Sequence, residues 1–102
     1  SSIYNFTKAG LNHFAATLGL ELAPYKIRVN AIEPGWIQTP GSTGEMSAEE
    51  IAEVENGRIP WGRVGYAEDI GKAVAFLVSD DADYITSTAL RVDGGLIAAA
   101  EH

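Results

Sequence analysis

Tyr4 and Lys8 stand four positions apart in the stretch YNFTKAG. On a helix that spacing puts the phenol and the ammonium on one face. A free phenol titrates near pH ~10 and is a poor base at neutrality. A cation beside it favours the phenolate, and a phenolate next to a hydroxyl can take up its proton. The chemistry on offer is acid/base transfer at an oxygen. The same pair also suits an ordinary helical turn, with Tyr4 at an interface and Lys8 running its apolar stem along the surface into water. Spacing alone leaves both readings open.

The elements that must position this pair are legible from periodicity. Between Ile3 and Leu22, the residues Leu11, Phe14, Ala15, Leu18 and Leu22 recur at helical spacing and predict one buried stripe. Phe6, His13 and Leu20 fall elsewhere on the cylinder, where they suit a neighbouring chain. Pro24 ends the pattern. Ile27 to Ile32 is short and β-branched and reads as a largely buried strand, which Pro34 and Gly35 turn out of the sheet. Trp36 to Met46 mixes aromatic, small and polar residues and reads as a loop. Ser47 and Glu50 fit a capping box ahead of a short helix reaching about Asn56, with Gly57 as its stop. A further helix is predicted over Glu68–Ser79, with Ile70, Val74, Leu77 and Val78 as its apolar stripe. Asp80 to Asp83 reads as a solvated turn. Leu90 and Val92 share one side of a final strand that Gly94 and Gly95 end, and the AAAEH tail is expected to fray or protrude. This order suits the edge of an α/β sheet.

The chain has 102 residues, 46% of them hydrophobic, enough for one compact core. Its net charge of −7, from 14 acidic and 7 basic residues, and its lack of a dense Lys/Arg tract argue against nucleic acid as a partner. No apolar run approaches the length of a spanning helix and no targeting segment is evident, so a cytoplasmic protein with no membrane partner is expected. There is no cysteine, hence no thiolate chemistry or disulfide. His13 and His102 are isolated, and the spacing of Asp80, Asp81 and Asp83 matches no calcium loop, so no metal is expected. Asn5, Phe6 and Thr7 match a glycosylation pattern that falls inside a predicted helix and is read as coincidence.

Taken in order, Tyr4 and Lys8, then ELAPYKIRVNAIEPG, RIPWGRVGYAEDIGKAVAFLVSDDADYIT and LRVDGG, closely resemble the carboxy-terminal portion of the short-chain dehydrogenase/reductase family. The resemblance implies a fragment of a Rossmann-like, doubly wound parallel sheet. It would form a single partial unit over residues 1–102, with a substrate-loop region at 36–56 and a final-strand region at 84–95. Tyr4 would be the acid/base at the substrate oxygen, and Lys8 would bind the nicotinamide ribose while supporting the charged tyrosine. Pro34, Gly35, the Ile37 backbone and Thr39 would line the nicotinamide, and Trp36, Ile37 and Met46 would contact substrate. The implied reaction interconverts a secondary alcohol and a carbonyl compound with NAD or NADP. Whether the chain by itself holds either cofactor stays open at this point.

Two departures stand out against that pattern: Glu33 brings charge where the family usually has a smaller residue, and Ser87 replaces a frequent glycine. The family's Gly-rich phosphate cradle, its catalytic serine and its asparagine have no counterpart among these residues. The resulting expectation is a catalytic half that is inactive alone and is completed by self-association, domain swapping or a missing N-terminal partner chain. A homo-oligomer or a full-length homologue is the expected partner. The competing expectation is a non-catalytic, truncated oligomerisation or structural domain.

Overall fold

The computed structural model describes residues 2–38, 47–53 and 57–102, and within them the side chains other than those of residues 2–11, 50 and 53. The elements in order are α1 (Ser2–Leu22), β1 (Ala31–Pro34), β2 (Ile37–Gln38), α2 (Ala48–Glu53), β3 (Gly65–Tyr66), α3 (Ala67–Leu77), β4 (Ala89–Val92) and α4 (Leu96–Ala100). β1 pairs with β4, and β2 with β3. The Ala31 N–H donates to Thr88 O at 2.9 Å and, four residues on in both strands, the Gly35 N–H donates to Val92 O at 3.1 Å. Partners that advance in the same sense make this pair parallel. β2 and β3 are also parallel, with Ile37 opposite Gly65 and Gln38 opposite Tyr66. By contacts the chain divides into two compact units, residues 1–32 with 74–90 and residues 33–73 with 91–102.

In the first unit, α1 covers the predicted span and passes at Ala23–Tyr25 into a 3-10 turn that contains Pro24. Its buried line keeps Ala15 of the predicted stripe and adds Gly19 one turn on, whereas Phe14 of that stripe is 64% exposed; Leu20, expected off the stripe, is 70% exposed. Close approach explains the preference for small residues. A Cβ on Gly19 would collide with the Ser87 hydroxyl and come within 3.0 Å of the Ser87 Cα. The predicted strand is also displaced. Residues 27–30 are extended but joined to the 85–88 segment largely through side chains, and the ladder proper begins at Ala31 and includes Pro34. Proline sits there at the strand end, where its missing donor does least harm. α3 leaves Val78, just past its end, 74% exposed, so of the predicted stripe only Leu77 is buried. The aspartates of the Asp80–Ala82 turn face solvent around a buried Ala82.

In the second unit, Ile59 and Val64 form a small core against which Leu96 packs. Burial of such side chains is worth about 1.5–3 kcal/mol each. α2 starts immediately after Ser47, as the cap predicted, and the Ile51 N–H donates to Ser47 O at 2.9 Å. Two expectations are corrected. Ile37–Gln38 is a strand rather than loop, because Gly65–Tyr66 offers it a ladder that no local pattern announces. The tail is not frayed: Leu96–Ala100 is helical, with the Asp93 carboxylate accepting from the Gly95 N–H at 3.0 Å and the Ile97 N–H at 3.1 Å. Gly94 (φ 63°) and Gly95 (φ 91°) supply the left-handed backbone that lets Asp93 fold back in this way.

Ser87 carries φ 63° and a buried hydroxyl with no hydrogen-bond partner among the described residues. Left-handed backbone and an unsatisfied buried hydroxyl each cost roughly 1–2 kcal/mol. Ser87→Gly is therefore expected to stabilise the chain by about 1–2 kcal/mol, and Gly19→Ala to destabilise it by about 1–3 kcal/mol. Urea midpoints check both, and the double variant should recover part of the Gly19→Ala loss because the colliding hydroxyl has gone.

Candidate functional site

The predicted residues fall into three groups. Tyr4 and Lys8 lie on α1, an unbroken helix from Ser2 to Leu22, so their backbone positions share one face. Pro34, Gly35, Trp36 and Ile37 come together in the second unit, where β1 ends and β2 begins. Thr39 and Met46 lie outside the described residues.

The β1–β2 connection is held tightly. Gly35 is tied to Val92 by its N–H and leaves no room for a side chain, since a Cβ there would stand 2.7 Å from the Asp93 Cβ. One residue on, the Trp36 carbonyl accepts the Gly65 N–H at 2.9 Å. Gly65 is itself pressed against Ile37: a Cβ on it would lie 2.6 Å from Ile37 Cδ1. In a parallel ladder the bonds from Gly65 go to the residues flanking its opposite number. Ile37, directly opposite Gly65, thus turns its own N–H and C=O away from β3. One donor and one acceptor of the same residue then point to the same side of the strand, a pairing that suits a primary carboxamide.

Beside this strand is a pocket of about 330 Å³ lined by Trp36, Ile37, Trp61, Arg63, Asp69, Arg91 and the Val92–Gly95 turn. One wall is braced by an ion pair: Arg63 reaches both carboxylate oxygens of Asp69, at 2.9 and 3.1 Å, and donates to Val64 O at 3.0 Å. The same carboxylate accepts the Tyr66 N–H at 2.8 Å, an acidic residue in the first turn of α3 reaching back to the amide preceding that helix. The Arg63 hydrogen bond first, and the Tyr66 amide second, hold the Asp69 carboxyl down at about 2. The guanidinium also lies 5.6 Å from the Tyr66 ring centroid. Arg63, Asp69 and Trp61 are pocket residues with no role expected from the sequence, and Arg91, which on its strand face suits pairing at a subunit contact, also lines the pocket. Asp69 had a readable signal, an acid three residues after Tyr66 at the start of a helical pattern; Arg63 and Trp61 did not. Among the described residues, no group of three or more His, Asp or Glu is placed to hold a metal ion, and no helix is long and apolar enough to cross a membrane.

Residues 1–97 match the family described as Enoyl-(Acyl carrier protein) reductase. The chain is 47% identical over 93 residues to the 3-oxoacyl-(acyl-carrier-protein) reductase FabG of Haemophilus influenzae, covering 91% of this chain and 38% of that protein. It is 44% identical over 93 residues to 3beta-hydroxysteroid dehydrogenase 1 of Eggerthella lenta, covering 91% and 36%. A solved structure from Escherichia coli str. K-12, named as a candidate oxidoreductase, superposes with a TM-score of 0.76 at 34% identity and covers 95% of this chain and 35% of its own. The chain thus spans little more than a third of the length of these relatives.

Because the folded Asp69 carboxyl titrates at about 2, below its ordinary 3.8, its contribution to stability is complete above the ordinary value and disappears as pH falls toward the lower one. Asp69→Asn removes that contribution. Thermal midpoints measured from neutrality down to about pH 2 should show the parent losing its advantage over Asp69→Asn across the acid range; a constant gap between the two would contradict the assignment.

Proposed function

Because the chain belongs to the short-chain dehydrogenase/reductase family, we propose that it supplies the proton-transfer half of an NAD- or NADP-dependent oxidoreductase that interconverts a secondary alcohol and a carbonyl compound. The observation carrying this reading is the outward-facing backbone of Ile37, held rigid by Gly65 and by the Gly35 contact with Asp93. That donor and acceptor fit the carboxamide of a nicotinamide, and Pro34 and Gly35 shape the approach to it. Thr39, two residues further on, would complete the carboxamide contacts. The bound nicotinamide donates or accepts the hydride.

The remaining chemistry belongs to the chain's own residues. Tyr4 exchanges a proton with the substrate oxygen, giving it up in carbonyl reduction and taking it in alcohol oxidation. Lys8, one helical turn along, holds the ribose hydroxyls and favours the phenolate through its charge. Trp36, Ile37 and Met46 contact the substrate. The phosphate cradle and catalytic serine that the family pattern requires have no counterpart among these residues, so the chain turns over only when joined to an upstream half.

The second reading, an association domain without catalysis, draws on a specific observation: Phe14, Leu20 and Val78 of the first unit are largely exposed. Such surface favours a covering polypeptide, either the upstream half or another copy. It is compatible with a catalytic role and, by itself, does not require one.

The test is a fusion of residues 1–102 behind the upstream part of the Haemophilus influenzae relative. The fusion should oxidise or reduce nicotinamide with an alcohol or carbonyl substrate, and the chain alone should not. Tyr4→Phe should lower kcat by about 100-fold or more. Lys8→Met should lower kcat and also weaken dinucleotide binding. A folded fusion whose turnover is untouched by Tyr4→Phe would overturn the assignment.

A further inference from the structure

We propose that the pocket of the second unit is a binding site for a small flat carboxylate, stacked on the Trp36 and Trp61 indoles and paired with Arg91. Its volume of about 330 Å³ suits a ligand of one or two rings. Both indoles line it and both keep accessible surface, Trp36 at 38% and Trp61 at 75%. Their backbones are fixed: the Trp36 carbonyl is tied to Gly65, and the Trp61 N–H donates to Gly94 O at 2.9 Å. A ligand then has less backbone to order when it uses this aromatic surface.

Charge selects the ligand's headgroup. Four charged side chains line the pocket, and three are committed within the protein. Asp69 has both oxygens on Arg63 and one also on the Tyr66 amide, and the charge of Arg63 is balanced by Asp69 in that close two-pronged pair. Asp93 uses both oxygens on the amides that start α4. Arg91 differs. Its ion pair with Glu101 is 3.9 Å long, beyond hydrogen-bond distance, and both groups are exposed. A ligand carboxylate can displace Glu101 and form the shorter, two-pronged contact a guanidinium favours. An uncharged ligand gains stacking alone. The chain's charge of −7 repels anions at a distance, but beyond about 8 Å that field is screened at physiological salt, whereas the Arg91 contact acts at close range.

The pocket shares Trp36 and Ile37 with the proposed substrate and nicotinamide contacts, but it calls on neither Tyr4 nor Lys8, so carboxylate binding is measured without the redox reaction. The experiment is titration of the 102-residue chain with benzoate, followed by the indole N–H signals in a ¹H–¹⁵N spectrum; the chain has two tryptophans, and both line this pocket. Both signals should move and saturate. Benzyl alcohol, which keeps the ring without the charge, and acetate, which keeps the charge without the ring, should each bind about tenfold more weakly or worse. Arg91→Gln should weaken benzoate by about tenfold, and Glu101→Gln, which frees Arg91, should tighten it. Benzyl alcohol binding as tightly as benzoate, indole signals that stay still in the folded chain, or indifference to Glu101→Gln would each overturn the proposal.

Discussion

One guanidinium organises the first unit. Arg28 donates to Leu77 O at 2.7 Å, to Ser79 O at 3.2 Å and to Ile85 O at 3.3 Å. The first of these acceptors closes α3, whose last carbonyls have no partner within the helix and carry the negative end of its dipole. A cation meeting them gains charge-assisted bonds, and the planar guanidinium fork holds its donors in fixed directions. The neighbouring residues continue the seam: the Val29 N–H donates to Thr86 Oγ1, and Asn30 bonds both Ile85 O and the Thr88 N–H. The backbone takes part in the same seam, the Ser87 N–H donating to Val29 O at 2.8 Å, and the β1–β4 ladder begins at Ala31.

The reach of such contacts along the chain decides which features are legible in the sequence. α1 and α3 were legible because a 3.6-residue period and a terminating Pro24 are local signals. So was the start of α2 at Ser47. The beginning of β1 was misjudged because Ile27–Asn30 has the composition of a strand but is joined to its neighbour through Thr86 and Asn30 side chains. β2 went unseen for a different reason: two residues show no periodicity, and their partner lies 28 positions along the chain. The terminal helix was hidden behind Asp93, Gly94 and Gly95, which read correctly as a turn, without revealing that the Asp93 carboxylate also starts α4.

The candidate site divides along the same line. Tyr4, Lys8, Pro34, Gly35 and Ile37 were picked out by motif, and the structure adds the physical reason for one of them: Ile37 presents its backbone because Gly65 occupies the other side of the ladder. The Arg63–Asp69 brace and the pocket beside it depend on chain segments meeting across distances that spacing does not encode. Exposure tells a similar story. Phe14 lies on the periodic stripe yet is exposed, while Gly19, outside that stripe, is buried, because close approach to Ser87 selects for small size at that position. The large apolar residues left outside would each gain roughly 1.5–3 kcal/mol from a covering surface, which is a physical reason for this chain to function joined to further polypeptide.

The central claim is that the Ile37 backbone receives a nicotinamide carboxamide. Amide hydrogen exchange at Ile37, measured in the fusion with an upstream half in the absence and presence of saturating NADH or NADPH, tests it most directly. Exchange at Ile37 should slow when dinucleotide is bound, while the Gly65 amide, already held by Trp36 O, should change little. An Ile37 amide that exchanges at the same rate with the dinucleotide bound would contradict the account.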